Sequence, residues 1–237
     1  MKKTIIVLCL TFANITYAED SFEVSVKNAS SGLYNTNVVA MTWMPTFCNI
    51  HQLKNDENCV NDFKLHGIWP YYHATIDNDN ILNYHPSNCY HSEGCTSTKD
   101  CDISKETISF LDNDISMQRS YPKNVTLWSH EWKKHGTCSG LNQKDYFGLA
   151  NVYLPKISDH HEKIKMLAQI NKNNSVDVNE IYNLLPHNTS LRCYNIQGDN
   201  YLFEVNFFFD RLGKEYNKVK TQIGDRCDGM VFLSWLD

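Results

Sequence analysis

Eight cysteines follow the first eighteen residues, and they limit the fold more than any periodicity in the chain does. The chain opens Met1-Lys2-Lys3, runs apolar from Ile5 to Phe12, and reaches Thr16-Tyr17-Ala18 before Glu19-Asp20. That pattern is expected of a secretory signal over residues 1–18, cleaved after Ala18. Cys9 leaves with it. Cys48, Cys59, Cys89, Cys95, Cys101, Cys138, Cys193 and Cys227 remain. An even number of cysteines behind a leader reads as four disulfides in an oxidising compartment, secreted or periplasmic. On the order of a hundred pairings are open to eight cysteines, so sequence alone fixes none. No C-x₂-C spacing points to a thiolate metal site. The leader's apolar run is too short to span a bilayer and no later stretch is long enough, so no membrane anchor is expected.

Charge narrows the function classes. The formal charge of −5 loses Lys2 and Lys3 with the leader and becomes −7 for the rest. Such a chain does not bind nucleic acid by bulk electrostatics, and contact with a polyanion must rest on a few local cations.

The coarse pattern predicts one α+β domain over residues 19–237: a central antiparallel sheet packed with helices and stapled by disulfides. FEVSVK (22–27) reads as an edge strand, and Val38 to Met44 as a buried strand closed by Pro45. Residues 49–62 read as a disulfide-closed loop, and FKLHGIWP (63–70) as a strand that Pro70 ends. In its pleat Phe63, Leu65, Gly67 and Trp69 share one face, and His66 points away from Phe63 and Leu65. Residues 71–102 are polar and aperiodic, a long loop held by cysteines. Helical spacing is expected over 103–118, then over 144–156 and 160–171 as two helices, with His160-His161 a solvated helix start. Val176 to Leu185 reads as a helix capped by Asp177 and stopped by Pro186. A hairpin is expected from Leu191–Ile196 and Tyr201–Phe209, with Tyr201, Phe203, Val205, Phe207 and Phe209 on one core face. Residues 223–235 complete the chain as a strand holding Cys227. Sequons occur at Asn28, Asn124, Asn173 and Asn188.

The densest chemistry lies in WSHEWKKHGTC (128–138). On a helix, Lys134, Glu131 and His135 stand roughly 40°, 100° and 140° around the axis from His130. Two imidazoles, an ammonium and a carboxylate then share one side, with Trp128 and Trp132 turned toward a core. Two other readings stand beside this one. A charged helix face is commonly just solvated, with Glu131 pairing Lys134 or His135. HExxH would bind zinc, but the spacing here is HExxxH, and rings roughly 140° apart do not easily share one ion. His66 alone is, by the same standard, more often structural than catalytic.

Together, FKLHGIWP and SHEWKKHGTC resemble the two active-site segments of the ribonuclease T2 family. TWMPTFC (42–48) resembles the strand before the first segment, and PSNC (86–89) the region carrying the cysteine partner of HGTC. The resemblance implies a metal-independent endoribonuclease with no cofactor and low base specificity. It would cleave single-stranded RNA through 2′,3′-cyclic phosphates to 3′-phosphates, leave DNA intact and act as a monomer. It implies His135 as base and His66 as acid in transesterification. Lys134 and Glu131 would stabilise the pentacoordinate phosphorus, and His130 would hold phosphate. Trp69 would stack on a base, with Leu127 or Trp128 touching the next one or packing in the core. As a carboxylate Glu131 repels phosphate; it could instead orient His135 or tune its pKa. The implied disulfides are Cys48–Cys59, Cys89–Cys138, Cys95–Cys101 and Cys193–Cys227. The chemistry agrees: a neighbouring 2′-OH supplies the nucleophile, so two groups titrating near neutrality and a cation suffice. The alternatives are a catalytically silent secreted binding protein on this scaffold and a zinc hydrolase.

Overall fold

The computed structural model describes residues 24–27, 29–53, 55–76, 80–90, 95, 101–217 and 222–237. The expected leader and the sequon at Asn28 lie outside them. β2 (Thr36–Trp43) runs through the middle of the sheet and is buried along its whole length. Its TNVVAMTW sequence, with Val38 and Val39 at its centre, suits a strand covered on both faces. It pairs antiparallel with β3 (Phe63–Ile76) on one side and β7 (Asp199–Asp210) on the other. Beyond β3 lie β4 (Asn80–Ser87) and the edge strand β1 (Val24–Lys27). Beyond β7 lie β8 (Met230–Phe232) and β5 (Ser175–Asp177), and β6 (Thr189–Ile196) forms a hairpin with β7. Pairing is antiparallel except between β1 and β4 and between β7 and β8. The fold is α+β as expected.

One sheet face carries the main core. Val39, Met41, Leu65, Ile68, Val205, Phe207 and Phe209 pack there. Helices α2 (Lys105–Asn113), α3 (Ile115–Ser120), α4 (Val125–Lys134), α5 (Gln143–Gly148) and α6 (Ala150–Asn171) contribute to it. On the other face Val38, Ala40, Trp69, Tyr71, Phe208 and Ile223 form a smaller cluster. Two short helices, α1 (Met44–Ile50) and α7 (Val178–Tyr182), complete the chain. Disulfides join Cys48 to Cys59, Cys89 to Cys138, Cys95 to Cys101 and Cys193 to Cys227, the same four pairs as the resemblance implies.

Several elements differ from the sequence expectation, each for a physical reason. Pro70 does not end β3. Asn35 N–H bonds Tyr71 O, so the backbone of Tyr71 faces β2 and that of Pro70 the opposite edge. There β4 pairs only from Tyr72 onward, so the missing N–H of Pro70 breaks no ladder. The loop expected over 71–102 instead contains the β3–β4 hairpin, whose polar residues hide its strand character. The helix expected over 103–118 breaks at Asp114, which caps α3 with its side chain. The two helices expected over 144–156 and 160–171 divide earlier, at Leu149, and α6 continues through Pro155. His160 and His161 therefore sit mid-helix. His161 is buried against Phe63, with ring centroids 4.8 Å apart. The last strand is only β8, and Cys227 precedes it. Asn188 is buried and its side chain donates to Phe208 O at 2.6 Å, which leaves that sequon no room for a glycan.

Candidate active site

Two β-bulges reset strand parity near the site. Ala40 pairs with Gly67 and Met41 with Leu65, so His66 is the extra residue of a bulge. The pleat expected from FKLHGIWP therefore changes parity. Phe63, Leu65 and Ile68 enter the main core, while Trp69 and Tyr71 join the opposite face. A second bulge falls at Phe203, because Arg192 pairs with Glu204 but Cys193 with Leu202. Leu202 takes the core position expected of Phe203, and Tyr201 and Phe203 lie outside the core cluster. On the other side of that bulge the alternation holds as expected: Val205, Phe207 and Phe209 enter the main core, while Phe208 joins the smaller cluster and Glu204 meets His66.

α4 supplies the other wall. Asn124 starts it by accepting the Leu127 N–H. Trp128 and Trp132 anchor it in the core, and Trp128 also donates to Pro122 O. Leu127, His130, Glu131 and Lys134 lie at i, i+3, i+4 and i+7, along one stripe. His135 is the C-cap, and a 3₁₀ turn, Gly136–Cys138, carries the chain away.

Glu131 is the hub. It is 1% exposed, and its carboxylate occupies the space above Gly67, where an added Cβ would collide with it and with the Trp69 indole. Trp69 Nε1 donates to Glu131 Oε2 at 2.8 Å. His66 Nε2 lies 3.6 Å from Oε1, and His135 Nε2 lies 4.0 Å from Oε2. Burial pushes the Glu131 pKa up to about 7, against the opposing influence of His66, the Trp69 hydrogen bond and Lys134.

The two histidines have different partners. His66, with 19% of its side chain exposed, holds Glu204 Oε2 with Nδ1 at 2.8 Å. Arg192 stands 3.7 Å from the other oxygen of Glu204. Burial works to lower the His66 pKa, but the Glu204 hydrogen bond and the charges of Glu131 and Glu204 prevail and raise it. His135, almost fully buried, places Nδ1 2.7 Å from His85 Nε2. Burial, helped by His85, Lys134, His130 and His66, lowers its pKa well below the ordinary value. His130 lies with its ring 6.3 Å from that of His135, and burial, then Lys134 and His66, lowers it to about 4.

His66, His130, Glu131, Lys134 and His135, the residues singled out from sequence, thus converge. Trp69 is 3% exposed and its ring lies along His135, centroids 5.1 Å apart, where a base platform was expected. Leu127 and Trp128 are both buried, and Trp128 belongs to the main core. Glu204 and His85 were missed. The signal for Glu204 was a carboxylate inside the apolar run LFEVNFFF, since a charge buried there needs a partner. The signal for His85 was its place just before PSNC. His130, Glu131 and His135 also offer ligand atoms within 4.8 Å of one another. Because His135 leaves the helix, the wide angle expected between the two rings does not keep them from one ion.

A family model described as the ribonuclease T2 family matches residues 34–221. The ribonuclease of Aeromonas hydrophila is 31% identical over 133 residues, 54% of this chain. Intracellular ribonuclease LX of Solanum lycopersicum is 31% identical over 122 residues, 46% of this chain. The chain spans about half the length of these curated relatives, 49% and 42% respectively. The fold is similar to that of RNase NT in complex with 5′-AMP, with a TM-score of 0.59 and 22% identity over 85% of this chain and 98% of that one. With the family match covering most of the chain and both motif segments meeting at one carboxylate, the chain belongs to the ribonuclease T2 family.

Proposed function

We propose that this protein is an endoribonuclease that cleaves single-stranded RNA without a metal, through a 2′,3′-cyclic phosphate. The observation that carries this reading is that His66 and His135 direct Nε2 toward the two oxygens of one carboxylate, from a strand and from a helix end. In the first stage the 2′-OH proton passes to His135 Nε2 as O2′ attacks phosphorus. The P–O5′ bond breaks, and His66 Nε2 gives its proton to O5′. In the second stage His66 takes a proton from water, the water oxygen attacks phosphorus, and O2′ leaves with the proton held by His135. A base with a lowered pKa and an acid with a raised one suit these roles at the same pH.

Glu204 holds the Nδ1 proton of His66 and keeps that ring cationic. Lys134 faces the charge that develops on the non-bridging oxygens. Glu131, with its pKa near 7, carries a proton part of the time near neutrality and then donates to a phosphate oxygen instead of repelling it. In this reading Trp69 supports Glu131 in place of stacking on a base. Every reacting contact then goes to ribose and phosphate, which supports low base specificity. Four disulfides and the signal-like leader support a secreted or periplasmic setting.

The cluster of His130, Glu131 and His135 keeps a zinc hydrolase as the second reading. Digestion of RNA and of single-stranded DNA in EDTA separates the two. RNA cut through cyclic phosphates with DNA intact supports the proposal, because DNA lacks the 2′-OH. Activity lost in EDTA and restored by zinc would favour the rival. No turnover in either condition would favour a binding protein.

A further inference from the structure

The second histidine layer behind His135 carries an inference that rests on the nuclease reading. β4 ends at the C-terminus of α4 and is locked there. Asn88 N–H bonds Lys134 O at 2.9 Å, Cys89 N–H bonds Thr137 Oγ1 at 3.0 Å, and Cys89 is joined to Cys138. This brings the buried His85 ring alongside His135, nearly parallel to it, with centroids 4.6 Å apart. Tyr71 also lies along His85, centroids 5.0 Å apart. Tyr71, His85, His135 and Trp69 thus form one aromatic cluster, in which Trp69 also lies 6.5 Å from His85.

We infer that His85 is a positioning residue for the reaction: its Nε2 accepts the Nδ1 proton of His135 and so leaves His135 Nε2 bare to receive the 2′-OH proton. Which ring nitrogen of a histidine carries the proton is set by the hydrogen bond made by the other. Between two uncharged imidazoles 2.7 Å apart, a single proton occupies the bond. If it belongs to His135, Nε2 toward Glu131 is a base; if it belongs to His85, that nitrogen is already protonated and cannot act as one. Burial keeps both rings uncharged, with His85 lowered to about 3 by burial and then Lys134. Among the described residues, those facing the pair include His66 and Tyr71 from β3, and His130, Glu131 and Lys134 from α4, with Glu204 of β7 behind His66.

A carboxylate behind a histidine stabilises its cation and suits an acid. An imidazole behind a histidine fixes the tautomer without adding negative charge and suits a base that must stay neutral. The two partners, Glu204 and His85, thereby sort the roles of two chemically identical side chains.

The test combines nitrogen NMR of the full protein with kinetics on a dinucleotide. In the wild type, His135 is expected to show Nδ1 protonated and Nε2 bare. His85→Phe keeps a ring in the cluster but removes the acceptor. It is expected to shift His135 toward the Nε2-protonated form and to lower kcat about 10- to 100-fold with little change in KM. His85→Gln, which restores an acceptor, should recover much of the loss. A wild-type spectrum with the proton on Nε2 would overturn the inference, as would a folded His85→Phe with wild-type rate and pH profile. If His85→Phe does not fold, the wild-type tautomer decides alone. Failure of the wild type to cleave RNA would count against the nuclease reading and leave the NMR result to judge His85.

Discussion

His66 and His135 differ in what stands behind them and in exposure, and those differences set what replacing each should do. His66→Ala and His135→Ala are each expected to lower the rate about 10²- to 10⁴-fold, measured on a dinucleotide with folding checked by near-UV circular dichroism. A near-normal rate in either would break the acid–base assignment. The log of kcat/KM against pH should form a broad plateau. Its acid limb lies below the ordinary histidine value because His135 must lose its proton and is depressed. Its alkaline limb lies above that value because His66 must keep its proton and is raised. Glu204→Gln removes the charge behind His66 and should move the alkaline limb down while leaving the acid limb in place. If both limbs stay fixed, Glu204 does not set the acid. The five polar positions of the site were legible in the two motifs. Glu204 and His85 were not, because neither sits in them and only strand register and the end of β4 bring them in.

At the level of elements, the site depends on how closely β3 approaches α4. Gly67 makes that approach possible, since a methyl group there collides with Glu131 and Trp69. Gly67→Ala is expected to push Glu131 out of its cradle, cost about 1–3 kcal/mol of stability, and lower the rate more than that loss of folded protein explains. Thermal unfolding and kcat on the same sample test this; unchanged kcat would mean that Glu131 has room to move. The bulge at His66 shows why strand alternation misled. The pattern of FKLHGIWP predicts one continuous pleat, whereas the unpaired residue puts Leu65 and Ile68 on one face and Trp69 on the other. The β3–β4 hairpin was hidden for another reason. Its polar composition resembles a loop, and only pairing with a neighbour makes it a strand.

For the whole molecule, burying several neutral histidines links stability to pH. His85 is lowered to about 3, His130 and His161 to about 4, and His135 well below its usual value. Between about pH 6.5 and 4 the unfolded chain protonates these four while the fold resists, so the unfolded state binds more protons and stability falls on acidification. Glu131, raised to about 7, acts in the opposite direction, because the fold binds its proton first. His66, raised, also favours the fold at lower pH, through its own titration range. The four histidines outnumber these two groups, so Tm should drop as pH is lowered from about 6.5 to 4. A Tm that is flat or rising over this range would mean that the site histidines are charged in the fold. The long α6 and the burial of His161 within it were not legible either. His160-His161 is polar in sequence and becomes interior only because α6 lays that face on Phe63 and Phe207.

Residue type and short spacing suffice to read off the chemistry on offer: the two histidine segments, the lysine and glutamate within the second, the cysteines, and the apolar alternation that requires a sheet. Such features are local. Which face each strand presents, how the two segments meet at Glu131, and which partner stands behind each histidine emerge only once the chain is folded. Those outcomes depend on bulges, on register and on contacts between residues far apart in the chain, and no local pattern encodes them.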